Sequence, residues 1–249
     1  MRIVFLTTGD PLYLPAFFAR VLERRAADTL AVYVVPPLYK GQSTAAAAAR
    51  YARTFGPRAT VELARRTLGA RLRGRSIEAV CARHGVRCEP VADVNAPAFV
   101  ARLRAERPDV AVSVSCPQLF GPELIAVPPH GILNLHGAIL PHYRGVMPSF
   151  WMLANGEREA GVSVGFVDEV IDAGDLAGQR RFAIDPAESL DRFLRRSKAI
   201  AADLVLEVLD ALERGAATRT PIDVAAGSYY SWPGRADVAR FRARGRRLW

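Results

Sequence analysis

The chain has 249 residues, of which 50% are hydrophobic and 24% charged, a balance that excludes a mostly disordered protein and is enough for a large apolar core. No run of about 18 uncharged apolar residues occurs, which excludes a membrane-spanning helix. The first residues read as a strand and not as an export signal, and the three cysteines (Cys81, Cys88, Cys116) include no CxxC pair, so free thiols and a cytoplasmic location are expected.

Arg2 to Thr8 reads as a first parallel strand that runs into a loop at Gly9-Asp10-Pro11 and then a helix. Leu30 to Val35 repeats the strand signal. Thr44 to Leu72, rich in alanine and arginine with apolar residues at helical spacing, predicts one or two helices broken near Gly56-Pro57. Ser76 to His84 is a short helix with Gly85 in the C-cap position. Cys81, His84 and Cys88 are close in sequence, but a zinc site needs a fourth ligand that is not evident, so no metal is expected. Val86 to Val91 and Val110 to Ser115 are strands with a helix, Pro97 to Arg107, between them.

This alternation implies an α/β, Rossmann-like fold: a mostly parallel sheet with right-handed crossovers, flanked by helices. Gly131 to His136 and Gly161 to Val167 extend the sheet. A long amphipathic helix from Glu188 to Arg214, capped by Gly215, closes a main domain of residues 1–217. Residues 218–249 are expected to form a short C-terminal appendage of strand and helix packed on that domain, with Tyr229, Tyr230 and Trp232 clustered in it.

The net charge of +9 comes from arginine, dense at Arg65 to Arg75 and from Arg235 to Arg247. Solvated helix faces account for such clusters; an anionic substrate, tRNA or a nucleotide-linked sugar, is the alternative.

The segment from Gly131 to Gly145 (GILNLHGAILPHYRG) carries the chemistry. Residues two apart on a strand face the same way, so Asn134 and His136 project together where Gly137 begins a loop, at the sheet edge where α/β ligand crevices lie. An amide beside an imidazole can hydrogen-bond one oxygen, as an acyl-transfer intermediate requires; alternatively the pair merely satisfies loop backbone groups. The acidic run Asp168 to Asp175 follows the next strand and belongs to the same crevice or to a solvated turn.

Taken together, Asn134-Leu135-His136, the turn Ile139-Leu140-Pro141, Asn155-Gly156-Glu157, Gly161 to Val164 and the loop Asp168 to Asp172 resemble the folate-dependent formyltransferase family, most clearly from Val110 to Gln179. The resemblance implies a catalytic trio of Asn134, His136 and Asp172. It implies that the pterin of the donor, 10-formyltetrahydrofolate, lies against Cys116, Pro117, Gln118 and Leu119 and the backbone of Asp168, Glu169, Val170 and Ile171.

Branches of the family differ in acceptor. Thr7 to Leu12 lacks the glycine-rich phosphate loop of the glycinamide ribonucleotide branch and of dinucleotide-binding dehydrogenases, which disfavours both. Too few residues follow the long helix for the C-terminal barrel of the tRNA-directed branch, and no regulatory segment precedes Met1 as in the formyl-folate hydrolases. The expected acceptor is therefore a small-molecule amine, such as an anionic nucleotide-linked amino sugar or a specialised metabolite, bound by loops such as Leu38 to Ser43 and Tyr143 to Phe150. A tRNA acceptor and a non-catalytic nucleic-acid-binding relative are the alternatives, and the Tyr229 segment is a candidate homodimer surface.

Overall fold

In the computed structural model, which describes residues 1–36, 43–168 and 170–249, the β-branched runs form β1 (Ile3–Thr8) and β2 (Thr29–Val35), linked by α1 (Leu14–Arg25). The alanine-rich stretch divides into α2 (Thr44–Phe55), begun by the Ser43 side chain accepting from the Ala46 amide, and α3 (Pro57–Leu72). Gly56, at φ 95°, makes the break, and Pro57 is suited to a first helical turn because it has no N–H to leave unpaired. Then follow α4 (Ile77–Arg83), β3 (Cys88–Pro90), α5 (Pro97–Glu106) and β4 (Val110–Val114). The expected strand Val86 to Val91 is shorter than its apolar pattern because the Val86 amide closes the end of α4 on the Cys81 carbonyl.

The second half contains α6 (Pro122–Ile125), β5 (Ile132–His136), β6 (Arg144–Gly145), α7 (Pro148–Asn155), β7 (Glu159–Phe166), β8 (Leu176–Ala183) and α8 (Leu190–Glu213). After it come β9 (Tyr229–Tyr230) and α9 (Arg235–Ala243). The described residues form a sheet in the order β3-β2-β1-β4-β5-β7-β8, parallel from β3 to β5 and antiparallel from β5 to β8. The mostly parallel expectation holds, with an antiparallel hairpin at one edge.

One face of the sheet buries Phe5, Val112, Leu133 and Val164 under α1, α4 and α8; the other buries Leu6, Tyr33 and Ile132 against α5. A third cluster joins Phe55 of α2, Phe150 of α7, Phe193 of α8 and Val238 and Phe241 of α9. The tail also satisfies the start of α8: the Leu190 and Asp191 amides, which have no partner inside the helix, donate to the Arg247 and Leu248 carbonyls.

Candidate active site

β5 ends the apolar part of the sheet, and its pleat sends Leu133 and Leu135 toward α8 while Asn134 and His136 share the opposite face. The loop after β7 returns Asp172 to them. The Asn134 carboxamide donates to Asp172 Oδ1 at 3.0 Å, and the Gly145 amide donates to Asp172 Oδ2 at 3.0 Å. His136 Nδ1 is 3.4 Å from the same Oδ2, with both side chains 7% exposed. His136 Nε2 is 2.8 Å from the Tyr143 carbonyl. A carbonyl only accepts, so Nε2 carries a proton and Nδ1 is the ring position left to serve the crevice.

The trio expected from sequence is thus brought together, with Asp172 meeting both Asn134 and His136, on the wall of a cavity of about 660 Å³. The backbone around it is strained. Ser115, Tyr143, Met147 and Asp172 all have φ between 55° and 59° or, for Asp172, 51°. Left-handed geometry is uncommon for residues with a Cβ and clusters at functional sites, where surrounding structure enforces it.

Cys116, Pro117, Gln118, Leu119, Asp168, Val170 and Ile171 line the same cavity; Glu169 lies outside the described residues. Gln118 is partly committed to the loop: its Nε2 donates one hydrogen to the Ala92 carbonyl at 2.7 Å and its Oε1 accepts from the Val94 amide at 2.8 Å, holding the loop in place. Burial pushes the Cys116 thiol up to about 11, so it is not a thiolate nucleophile. Leu119 and Val170, 67% and 57% exposed, are large apolar side chains presented at this side of the cavity.

Of the expected acceptor loops, residues 37–42 lie outside the described residues. Gly145 to Phe150 line the cavity, whereas Tyr143 turns away to bond Glu157 through its hydroxyl and to stack on Tyr230 at 5.1 Å. The aromatic cluster is divided: Tyr230 and Trp232 pack on the third core cluster, and Tyr229, 54% exposed, lines the cavity.

Asp10, Tyr13 and Lys198 also line it and were not anticipated. The Lys198 ammonium donates to Ser115 Oγ at 2.9 Å; burial lowers it to about 8, with Asp10 opposing the shift. Burial raises the Asp10 carboxyl above its usual range. A compositional signal existed: of 34 basic residues only Lys40 and Lys198 are lysine, and Lys198 sits in a helix that otherwise uses arginine.

Residues 1–209 match the family described as formyl transferase. The methionyl-tRNA formyltransferase of Geobacter metallireducens is 29% identical over 229 residues, 92% of this chain and 64% of that enzyme. The chain therefore spans just under two thirds of the length of that relative. In fold, a sugar N-formyltransferase from a Shewanella species aligns with TM-score 0.60 at 16% identity, covering 98% of this chain and 87% of that one. An N-formyltransferase of Helicobacter canadensis, solved with folinic acid and dTDP-3-aminofucose, aligns with TM-score 0.60 at 14% identity, covering 95% and 72%.

Proposed function

The chain belongs to the formyl transferase family, and from that premise we propose that it transfers the formyl group of 10-formyltetrahydrofolate to the amine of a small molecule such as a nucleotide-linked amino sugar or a specialised metabolite. The observation that carries the reading is the meeting of Asn134 and His136 with Asp172 on a cavity wall flanked by exposed apolar side chains.

In this reading the donor's flat ring lies between the Cys116 to Leu119 loop and Val170, where apolar side chains can flank it and loop backbone can meet its polar edge. The neutral amine attacks the formyl carbon, and the carbonyl oxygen becomes an oxyanion. Asn134 has two amide hydrogens: one is held by Asp172 at 3.0 Å, and the other is available to the oxyanion; His136 Nδ1, bare in the resting Nε2–H tautomer, becomes a second donor to it once it has bound a proton from solvent. Asp172 orients both. It takes the proton lost by the amine, directly or through water, and passes it to the folate nitrogen as the bond from that nitrogen to the formyl carbon breaks. The products are the N-formyl acceptor and tetrahydrofolate. No covalent enzyme intermediate is formed, in keeping with the protonated state of Cys116.

A small acceptor is supported by the nucleotide-sugar complex of the Helicobacter protein, a likeness of fold. The second reading, a tRNA acceptor, rests on the 29% identity to methionyl-tRNA formyltransferase and on the net charge of +9. Replacing Asn134 by Ala tests the assignment. Turnover is expected to fall roughly 100- to 1000-fold, the loss of one oxyanion donor, with donor affinity in equilibrium binding little changed; near-normal turnover would sink it.

A further inference from the structure

Two backbone groups meet the catalytic pair, and both belong to the short stretch Tyr143 to Gly145: the Tyr143 carbonyl at His136 Nε2 and the Gly145 amide at Asp172. The opposite edge of that stretch is held by the C-terminal segment, beyond the residues that match the family. The Tyr143 amide donates to Ser228 Oγ at 2.9 Å, the Arg144 amide to the Ser228 carbonyl at 2.9 Å and the Val146 amide to the Tyr230 carbonyl at 2.8 Å. β6 and β9 thus pair in parallel, with the catalytic residues on one edge and the C-terminal strand on the other.

The approach is closer than side chains allow. A Cβ on Gly145 would lie 2.3 Å from the Tyr230 carbonyl oxygen, and one on Gly227 would lie 2.3 Å from that of Pro141. Side chains lock the same register: Asn155 donates to the hydroxyls of Tyr143 and Tyr230, whose rings are stacked with an interplanar angle of 11°. Tyr143 itself is held at φ 59°, a conformation that needs enforcement.

We infer that Ser228 and the strand Tyr229–Tyr230 are a positioning element of the transfer site: they hold Tyr143 to Val146 in register so that the Tyr143 carbonyl fixes the Nε2–H tautomer of His136 and the Gly145 amide fixes Asp172. The inference rests on the proposed transfer reaction for its kinetic consequence but not for its structural one. Ser228 touches no reacting atom; it acts through the backbone of Tyr143. The same strand places the Tyr229 ring in the cavity, so the C-terminal segment supports the catalytic residues and lines the cavity at once.

The test has two readouts. Nitrogen-15 NMR of the imidazoles, with the His136 signal identified by its loss in His136→Gln, reports the tautomer without any substrate. Wild type is expected to show Nε2–H alone, and Ser228→Ala to show a mixture, with Ser228→Thr, which keeps the hydroxyl, restoring the wild-type pattern. In steady state, Ser228→Ala is expected to lower kcat roughly 10- to 100-fold, as displacement of a catalytic group by up to about an ångström does, with little change in donor KM. Gly227→Ala should behave as Ser228→Ala. An unchanged tautomer in both variants, each folded as judged by its melting transition, overturns the inference. An altered tautomer in a protein with no formyl transfer leaves the inference standing and removes the proposed reaction instead.

Discussion

Asn134, His136 and Asp172 show how few degrees of freedom the site leaves. Asp172 accepts from Asn134 on one oxygen and from the Gly145 amide on the other, which fixes the carboxylate plane beside His136. Lys198 is different in kind, a cation in the same cavity with Ser115 as its hydrogen-bond partner. Its proton is bound less tightly in the folded chain, to about 8, than in the unfolded one, at 10.5. Between those values the unfolded chain binds more protons, so the Lys198 contribution to stability rises with pH across that window. Lys198→Met is therefore expected to melt above wild type at pH 7, with the gap closing by about pH 10 in a series of thermal scans. A gap that does not vary with pH would contradict the assignment. Lys198 was hidden in the sequence because its helix reads as one more amphipathic, basic helix; only its being lysine among arginines singled it out.

At the scale of elements, the parallel core was legible because β1, β2, β4 and β5 are apolar runs ended by turn residues, and the pairing of Asn134 with His136 on one face was legible because a strand has period two. Of the elements that gave no such signal, two show why. The α7 sequence PSFWMLAN is apolar throughout and buried, so it has no helical periodicity to detect. The β8 sequence LAGQRRFA has weak strand propensity and sits at the sheet edge, where Gly178 is placed by α8: a Cβ there would meet Val208 at 2.9 Å. The contact of His136 with the Tyr143 carbonyl was also illegible, since every residue has a carbonyl and only the fold chooses which one faces the ring. The C-terminal helix α9 is anchored by Phe241, 1% exposed and stacked on Phe150 at 5.1 Å. Phe241→Ala is expected to cost about 3–5 kcal/mol in urea unfolding, the usual loss for a fully buried phenylalanine. A cost under about 1 kcal/mol would mean that α9 adds little to the stability of the whole.

Over the whole molecule, the arginine-rich tail has a structural use that charge counting could not disclose. Arg235 donates to the Arg53 carbonyl, Arg242 to that of Phe55, Arg244 to that of Ala154 and Arg246 to those of Asp185 and Pro186. Three of those acceptors lie in the last turns of α2 and α7, where carbonyls lack partners within the helix and the helix dipole favours a cation. The tail thus joins the C-terminal segment to the body of the protein, and that segment in turn holds the stretch that meets His136 and Asp172. Among the described residues no helix is long and apolar enough to cross a membrane.

Transfer of a formyl group from a folate to an amine is read out by following tetrahydrofolate released from 10-formyltetrahydrofolate against a panel of acceptors: amino-sugar nucleotides, charged initiator tRNA and glycinamide ribonucleotide. Release is expected to depend on a small-molecule amine and to be abolished in His136→Ala. No release with any acceptor, together with no binding of the folate, would contradict it.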